Sequence, residues 1–205
     1  NRSLLKKGLA LDRLIQNLLV DKSINARSLY MGDRNAIIIN ARASAYGTDY
    51  NTSVQCPACG ETSKFKFDLT DHETYHGDEI NDKIEDCEDG TFKVTLPMSK
   101  IVARIRPLTG EDELKLISKG KNKDATDNLI TKQMKLFVVD FNGYNDANTI
   151  NYVCENMVAG DSKVIRGAHG LISPDVRMEQ NFVCSNCEHE EVMSVPFGTD
   201  FFWPE

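Results

Sequence analysis

Two Cys-x-x-Cys pairs constrain the fold of this chain more than any other feature of its sequence. They are Cys56/Cys59 and Cys184/Cys187, and 124 residues separate them. A turn this short rarely accommodates an unstrained disulfide, whereas two such turns supply the four thiolates that tetrahedral zinc prefers. Closing a flexible loop of this length costs roughly 4 kcal/mol, which is less than the about 10–16 kcal/mol that structural zinc contributes. We call each Cys-x-x-Cys turn a knuckle. We therefore predict one structural Zn²⁺, bound where the two knuckles face each other to form one zinc ribbon.

A Cys2His2 finger is the alternative metal site. Its spacing fits a pattern in which the ligands are Cys56, Cys59, His72 and His76. Against it, Ser63 stands where such a finger has its core aromatic residue, and the second cysteine pair is left without partners. His189, two residues after Cys187, is the nearest further nitrogen ligand.

Catalytic motifs are missing from the sequence. It has no glycine-rich phosphate loop, no nucleophile elbow and no His-Glu-x-x-His. Of the two cysteines outside the pairs, Cys87 lies among carboxylates and Cys154 lies on an apolar helix face, where a core position is expected. The sequence thus predicts a protein that is not an enzyme.

The net charge of −7 is unevenly distributed. Between Asp68 and Asp89 there are ten acidic residues and one basic residue, Lys83. We expect residues 70–90 to form a solvated loop. The acidity disfavours sequence-independent nucleic-acid binding, which needs Lys and Arg at the phosphates. No apolar run is long enough to span a bilayer and no signal-peptide pattern is present, so we expect an intracellular protein.

Hydrophobic periodicity predicts an α+β fold. Apolar residues at helical spacing indicate helices over 2–19, 126–139 and 147–158, and another from Asp33 to Gly47. Alternating residues predict a hairpin over 91–106. We expect a small helical and hairpin body inserted between the two knuckles. The predicted segments are N-terminal helices (1–50), the first knuckle and a strand (51–69), the acidic loop (70–90), the body (91–175), and the second knuckle with an aromatic tail (176–205).

The two halves of the chain match at a constant offset of 128 residues. Gly32-Asp33 lies 24 residues before Cys56, and Gly160-Asp161 lies 24 residues before Cys184. The same offset aligns Ile37 with Ile165. This predicts an internal pseudo-repeat of helix, strand, knuckle and strand, with chance similarity as the alternative.

Several strings together resemble one protein family. They are ARASAYG ahead of CPACG, CSNCEHEE, the terminal FGTDFFWPE, and LPMSKIVARIRPLTGEDE. From about residue 29 onward the chain resembles the baseplate hub proteins of T-even-type contractile-tailed bacteriophages. The resemblance implies a non-enzymatic structural or assembly component of the hub, present in the host cytoplasm during assembly and in the virion tail baseplate. The two knuckles differ in the residue that follows them, which is Gly60 after the first and Glu188 after the second. Glycine favours a tight turn at this position, so a less tight second turn is expected.

A nucleic-acid-binding zinc ribbon or zinc finger is the alternative function, and the net charge disfavours it. Within the baseplate interpretation, we predict that the partners are other tail proteins. The aromatic residues near the end of the chain, Phe201, Phe202 and Trp203, are predicted to dock into one of them, because aromatic anchors dominate interface energies. The alternative is that this tail folds back on its own ribbon.

Overall fold

The computed structural model describes residues 9–119, 129–196 and 201. The helices are α1 (Leu9–Leu18), α2 (Met31–Tyr46), α3 (Gly110–Lys119), α4 (Leu129–Phe137), α5 (Ala147–Glu155) and α6 (Ala159–Ile172). The strands are β1 (Asp49–Gln55), β2 (Thr62–Asp68), β3 (Glu73–Tyr75), β4 (Ile84–Asp86), β5 (Phe92–Thr95), β6 (Val102–Ile105), β7 (Val138–Phe141), β8 (Asp175–Arg177), β9 (Glu179–Val183) and β10 (Glu190–Ser194). Helices and small sheets in one chain confirm the predicted α+β class.

The chain divides into two compact units. One, here called the sheet unit, comprises residues 1–34 and 76–175. The other, here called the cysteine unit, comprises residues 35–75 and 176–205. Both Cys-x-x-Cys pairs belong to the cysteine unit, which is therefore built from two segments that are distant in sequence.

The sheet unit has its core on a four-stranded sheet of order β4-β5-β6-β7. The predicted hairpin is confirmed, because β5 and β6 pair antiparallel with Val94 opposite Ala103. Both side chains are buried, as the alternating pattern requires. Helices α4, α5 and α6 supply the other side of this core, with the buried residues Met134, Phe137, Cys154, Ile165, Ala168 and Ile172.

The acidic segment is more ordered than its composition predicts. We expected a solvated loop over 70–90, but this stretch contains β3 and β4. Tyr75 in β3 and Ile84 in β4 are both buried, and β4 pairs with β5. One apolar residue in each strand anchors it, while the carboxylates stay at the surface. The expectation of a continuous loop is therefore wrong.

Two predicted helix boundaries also need correction. Helix α2 begins at Met31, so Asp33 lies inside its first turn rather than capping it. Gly47 does end the helix: its φ is +85° and its N–H donates to the Ala43 carbonyl at 2.9 Å. Farther along, α4 ends at Phe137 and Val138 begins β7, where it pairs with Ile105. The β-branched Val138 and the available strand edge favour sheet over helix here. The predicted start of this helix at residue 126 lies outside the described residues.

Buried ionic groups fix the start of α3. The hydroxyl and N–H of Thr109 donate to Asp112 Oδ2 at 3.0 and 3.1 Å, and the second of these bonds is one half of a capping box. Arg106 Nη1 donates to the same oxygen at 2.7 Å. Burial by itself would raise the pKa of Asp112, but Arg106 and Thr109 together lower it to about 2.

Asp161 ties the loop after β5 to the first turn of α6. Its carboxylate is buried and accepts hydrogen bonds from the backbone N–H groups of Met98 and Ser99, at 2.8 and 2.9 Å. We expect Asp161→Ala to destabilise the protein by about 2 kcal/mol, because two backbone N–H donors lose a buried, charged acceptor. Urea unfolding measures this change. The exposed Asp82→Ala is the control, and equal losses in both variants would contradict the role given to Asp161.

His169 makes the sheet unit sensitive to mild acid. Its ring stacks on Phe137 at a centroid distance of 4.1 Å, and burial, with a smaller effect from Arg106, lowers its pKa to about 4. The unfolded chain binds a proton near pH 6.5, so stability is full above that value and is lost as the pH falls towards 4. We expect His169→Leu to remove roughly 3 kcal/mol of this pH dependence. Unfolding at pH 4.5 and 7.5 tests it, and identical pH profiles for both proteins would contradict it.

Candidate metal centre

The first Cys-x-x-Cys pair forms the turn of the β1–β2 hairpin. Cys56 directly follows β1, and its N–H donates to the carbonyl of Glu61 at 2.8 Å. The N–H of Gly60 donates back to the Cys56 carbonyl at 2.9 Å. Gly60 has a φ of +74°, a conformation that suits glycine. This turn directs two cysteine sulfurs from one tight loop.

The second pair forms the turn of the β9–β10 hairpin with the same hydrogen bonds. The N–H of Cys184 donates to the His189 carbonyl at 2.9 Å, and the N–H of Glu188 donates to the Cys184 carbonyl at 3.0 Å. Glu188 takes the position of Gly60 and adopts a φ of +58°. The expected looser turn is therefore wrong, because Glu188 accepts a left-handed backbone at a cost of roughly 1 kcal/mol.

The four sulfurs lie together in one cluster. Cys56 Sγ is 3.7 Å from Cys187 Sγ, and Cys59 Sγ is 3.8 Å from Cys184 Sγ. All four lie within 4.8 Å of one another. Zinc–sulfur bonds of about 2.3 Å in a tetrahedron place the sulfurs about 3.8 Å apart. The donor set thus has the chemistry and the dimensions of a tetrahedral zinc site.

Polar groups around the cluster favour thiolates. The backbone N–H of Glu61 and then the Asn186 side chain donate to Cys59 Sγ, and they lower the pKa of Cys59 to about 6. The N–H of His189 likewise lowers the pKa of Cys187, but contacts with the other thiols, Cys59 first, raise it to about 12. Four crowded sulfurs can all be deprotonated only if a cation offsets their charge. Sequence reasoning did not predict Asn186 as part of the site, although its position between Cys184 and Cys187 places it beside the cluster.

Aromatic packing and one amide hold the two hairpins together. Phe65 of β2 contacts Phe182 of β9 edge to face, with a centroid distance of 5.4 Å. The Gln180 side chain pairs with the backbone of Asp68, accepting from its N–H at 3.0 Å and donating to its carbonyl at 2.6 Å. This packing positions the knuckles through the protein's own contacts as well as through any ion.

The histidines considered as ligands lie elsewhere. Nδ1 of His72 is 3.1 Å from the Leu69 carbonyl, and Nε2 of His189 is 3.5 Å from Glu191. Across residues 9–119 and 129–196, the only group of three or more His, Cys, Asp or Glu side chains with metal-binding spacing is the four cysteines. His76 is exposed. The Cys2His2 set is therefore not brought together.

Cys154 is buried, and burial raises its pKa to about 11, so it has the core position expected of it.

Phe201 belongs to the interior of the cysteine unit. Its side chain is fully buried and meets the Tyr50 ring edge to face at 5.0 Å. The prediction that Phe201 docks into another subunit is wrong, because its apolar surface is already covered by its own chain. The alternative, in which the tail folds back, holds at this residue. Phe202 and Trp203 lie outside the described residues.

These features define an α+β protein with a four-cysteine cluster between two knuckle hairpins. In the described part of the chain, no helix has the length and apolarity needed to cross a membrane. A family model described as "T4 bacteriophage base plate protein" matches residues 6–203. The chain therefore belongs to this base plate protein family. No curated protein and no solved structure is significantly similar to it.

Proposed function

We propose that the chain is a structural or assembly component of the baseplate hub, and that it acts by binding other tail proteins. The observation that carries this proposal is the family match over residues 6–203. A hub subunit must keep a fixed shape under load, and a metal-stapled α+β unit suits that task. The activity is non-enzymatic in this proposal, since a four-thiolate site would leave no open coordination position for a substrate.

The ion that we propose is zinc, with Cys56, Cys59, Cys184 and Cys187 as its ligands and the two hairpins as one zinc ribbon. The sulfur spacing and the N–H donors around the cluster support it. The ion would supply no chemistry beyond cross-linking two chain segments. Its contribution would be to the stability of the cysteine unit.

We propose an internal duplication, because several elements in the two halves of the chain begin at matching positions. Helices α2 and α6 begin at Met31 and Ala159, and strands β2 and β10 begin at Thr62 and Glu190. Each pair is 128 residues apart, as the cysteines are. The shared hydrogen bonds of the two turns support the same relation. We propose that each half contributes one helix and one knuckle hairpin.

Mass spectrometry of purified tails and assembly intermediates tests the proposed function. We expect the chain in hub intermediates from host cytoplasm and in finished baseplates, at a fixed ratio to the other hub subunits. Its absence from both would refute the proposal.

Nucleic-acid binding, the second candidate, is tested by filter binding of oligonucleotides at moderate salt. We expect no retention, since the net charge is −7.

A further inference from the structure

Arg42 is a buried cation for which the described residues provide no carboxylate partner. It lies near the end of α2, inside the cysteine unit, and only 7% of it is exposed. Within the described residues, its Nε is the one buried side-chain nitrogen or oxygen without a hydrogen-bond partner. Buried polar groups are almost always satisfied, so a lone exception needs an explanation.

The hydrogen bond that the Arg42 side chain does make leaves one edge of its guanidinium unused. Nη1 donates to the Gly47 carbonyl at 3.2 Å, which is the single hydrogen bond that this side chain makes among the described residues. No ion pair in the described part of the chain includes it. Arg34 shows the contrast: it is also buried, but its Nη2 lies 2.7 Å from Asp12 and 3.6 Å from Glu113. Within the described part of the chain, one buried arginine is thus paired with carboxylates and the other is not.

Two aromatic rings flank the guanidinium. Its carbon lies 4.9 Å from the centroid of the Tyr46 ring and 6.0 Å from that of Phe201. Phe201 is buried, whereas Tyr46 is 57% exposed. The unused Nε edge has the fork geometry that binds a carboxylate with two parallel hydrogen bonds. Arginine and tyrosine side by side are also the residue types that carry most of the energy in protein interfaces.

We propose that Arg42 and Tyr46 form a docking site for an aspartate or glutamate side chain of a neighbouring baseplate protein. This inference rests on the proposed function and names the chemistry of the partner. The carboxylate would pair with the Nε edge of Arg42, and the exposed Tyr46 ring would turn to admit it, an adjustment common at interfaces. A nucleic-acid phosphate has similar oxygen geometry, but the net charge of −7 opposes it.

The first test separates a binding role from a structural one in the isolated, zinc-loaded chain. Arg42→Met replaces an unpaired buried charge with an apolar side chain of similar length. We expect the melting temperature to rise or to fall by less than about 2 °C, with zinc content unchanged. Lys64→Met is the matched control, because it removes one cation from an exposed position. A much larger fall for Arg42→Met alone would show that Arg42 supports the fold and would overturn the proposal.

The second test uses a phage whose own copy of the gene is interrupted and which is supplied with variant chains. We expect Arg42→Met, Arg42→Lys and Tyr46→Ala each to reduce the chain in purified baseplates at least about tenfold, while Lys64→Met and wild type are incorporated equally. Arg42→Lys keeps the charge but loses the fork, so normal incorporation of all three variants would overturn the proposal. Absence of the wild-type chain would instead refute the proposed function, and this site with it.

Charge reversal identifies the source of the carboxylate. Arg42→Glu phage should recover through Asp→Lys or Glu→Lys changes in another tail gene. Suppressors confined to this chain would show that the substitution damages the fold rather than a contact, and would overturn the proposed neighbour. Oligonucleotide binding by wild type that Arg42→Met abolishes would assign the site to a phosphate and would also overturn it.

Discussion

Replacing Cys184 with serine is expected to lower the zinc content from about one ion per chain to near zero and to unfold the cysteine unit. Cys184 is buried, and its sulfur lies 3.8 Å from that of Cys59 in the other knuckle. Three remaining thiolates bind zinc far more weakly than four. Structural zinc contributes about 10–16 kcal/mol, which matches or exceeds the whole stability of a typical domain.

Metal analysis and hydrogen exchange together measure this effect. Exchange should become fast in both knuckle hairpins, over 49–68 and 179–194, while the sheet-unit core stays protected. Cys154→Ser is the matched control, because Cys154 is buried but lies outside the cluster, so the variant should keep its zinc. The double variant His72→Ala/His76→Ala should keep its zinc as well. Zinc that survives in Cys184→Ser and is lost from the histidine variant would establish the Cys2His2 site.

The cysteine cluster could be predicted because its signal is local. A Cys-x-x-Cys turn sets the directions of its two sulfurs within a few residues, and only the meeting of two such turns depends on the rest of the chain. The alternating residues of β5 and β6 are equally local, and the hairpin over 91–106 is confirmed. Glu188 shows the limit of this reasoning, since neighbouring contacts hold a non-glycine residue at a φ of +58°.

Buried charged residues could not be predicted, because sequence patterns assign charge to the surface. Asp112 and Asp161 are each 1% exposed and organise a helix start and a loop. Their burial depends on donors that lie between 3 and 63 residues away. The same reason explains β4, where Ile84 lies among carboxylates and is ordered by its partner strand β5. Tertiary hydrogen bonds and strand pairing outweigh composition at these positions.

Phe201→Ala is expected to destabilise the zinc-loaded chain by about 3–5 kcal/mol, the range for truncating a fully buried phenylalanine. The ring has no exposed surface, and it packs on Tyr50, whose own ring lies 6.4 Å from Phe67. Truncation therefore leaves a cavity beside the β1–β2 hairpin. Urea unfolding at constant zinc concentration measures the loss. Tyr46→Ala is the matched aromatic control and should change stability by less than about 1 kcal/mol, because this side chain is 57% exposed.

Arg42 influences where in this range the loss should fall. The Phe201 ring lies over the Arg42 guanidinium, so its removal also lets water reach a cation that has no carboxylate partner among the described residues. Hydration of that cation offsets part of the cavity cost, and we expect a value near the lower end of the range. In Arg42→Met the offset is absent, so Phe201→Ala should cost more in that background, and a double-mutant cycle measures the difference. If Phe201→Ala left stability unchanged while abolishing co-purification with baseplate proteins, the ring would belong to an interface rather than to this core.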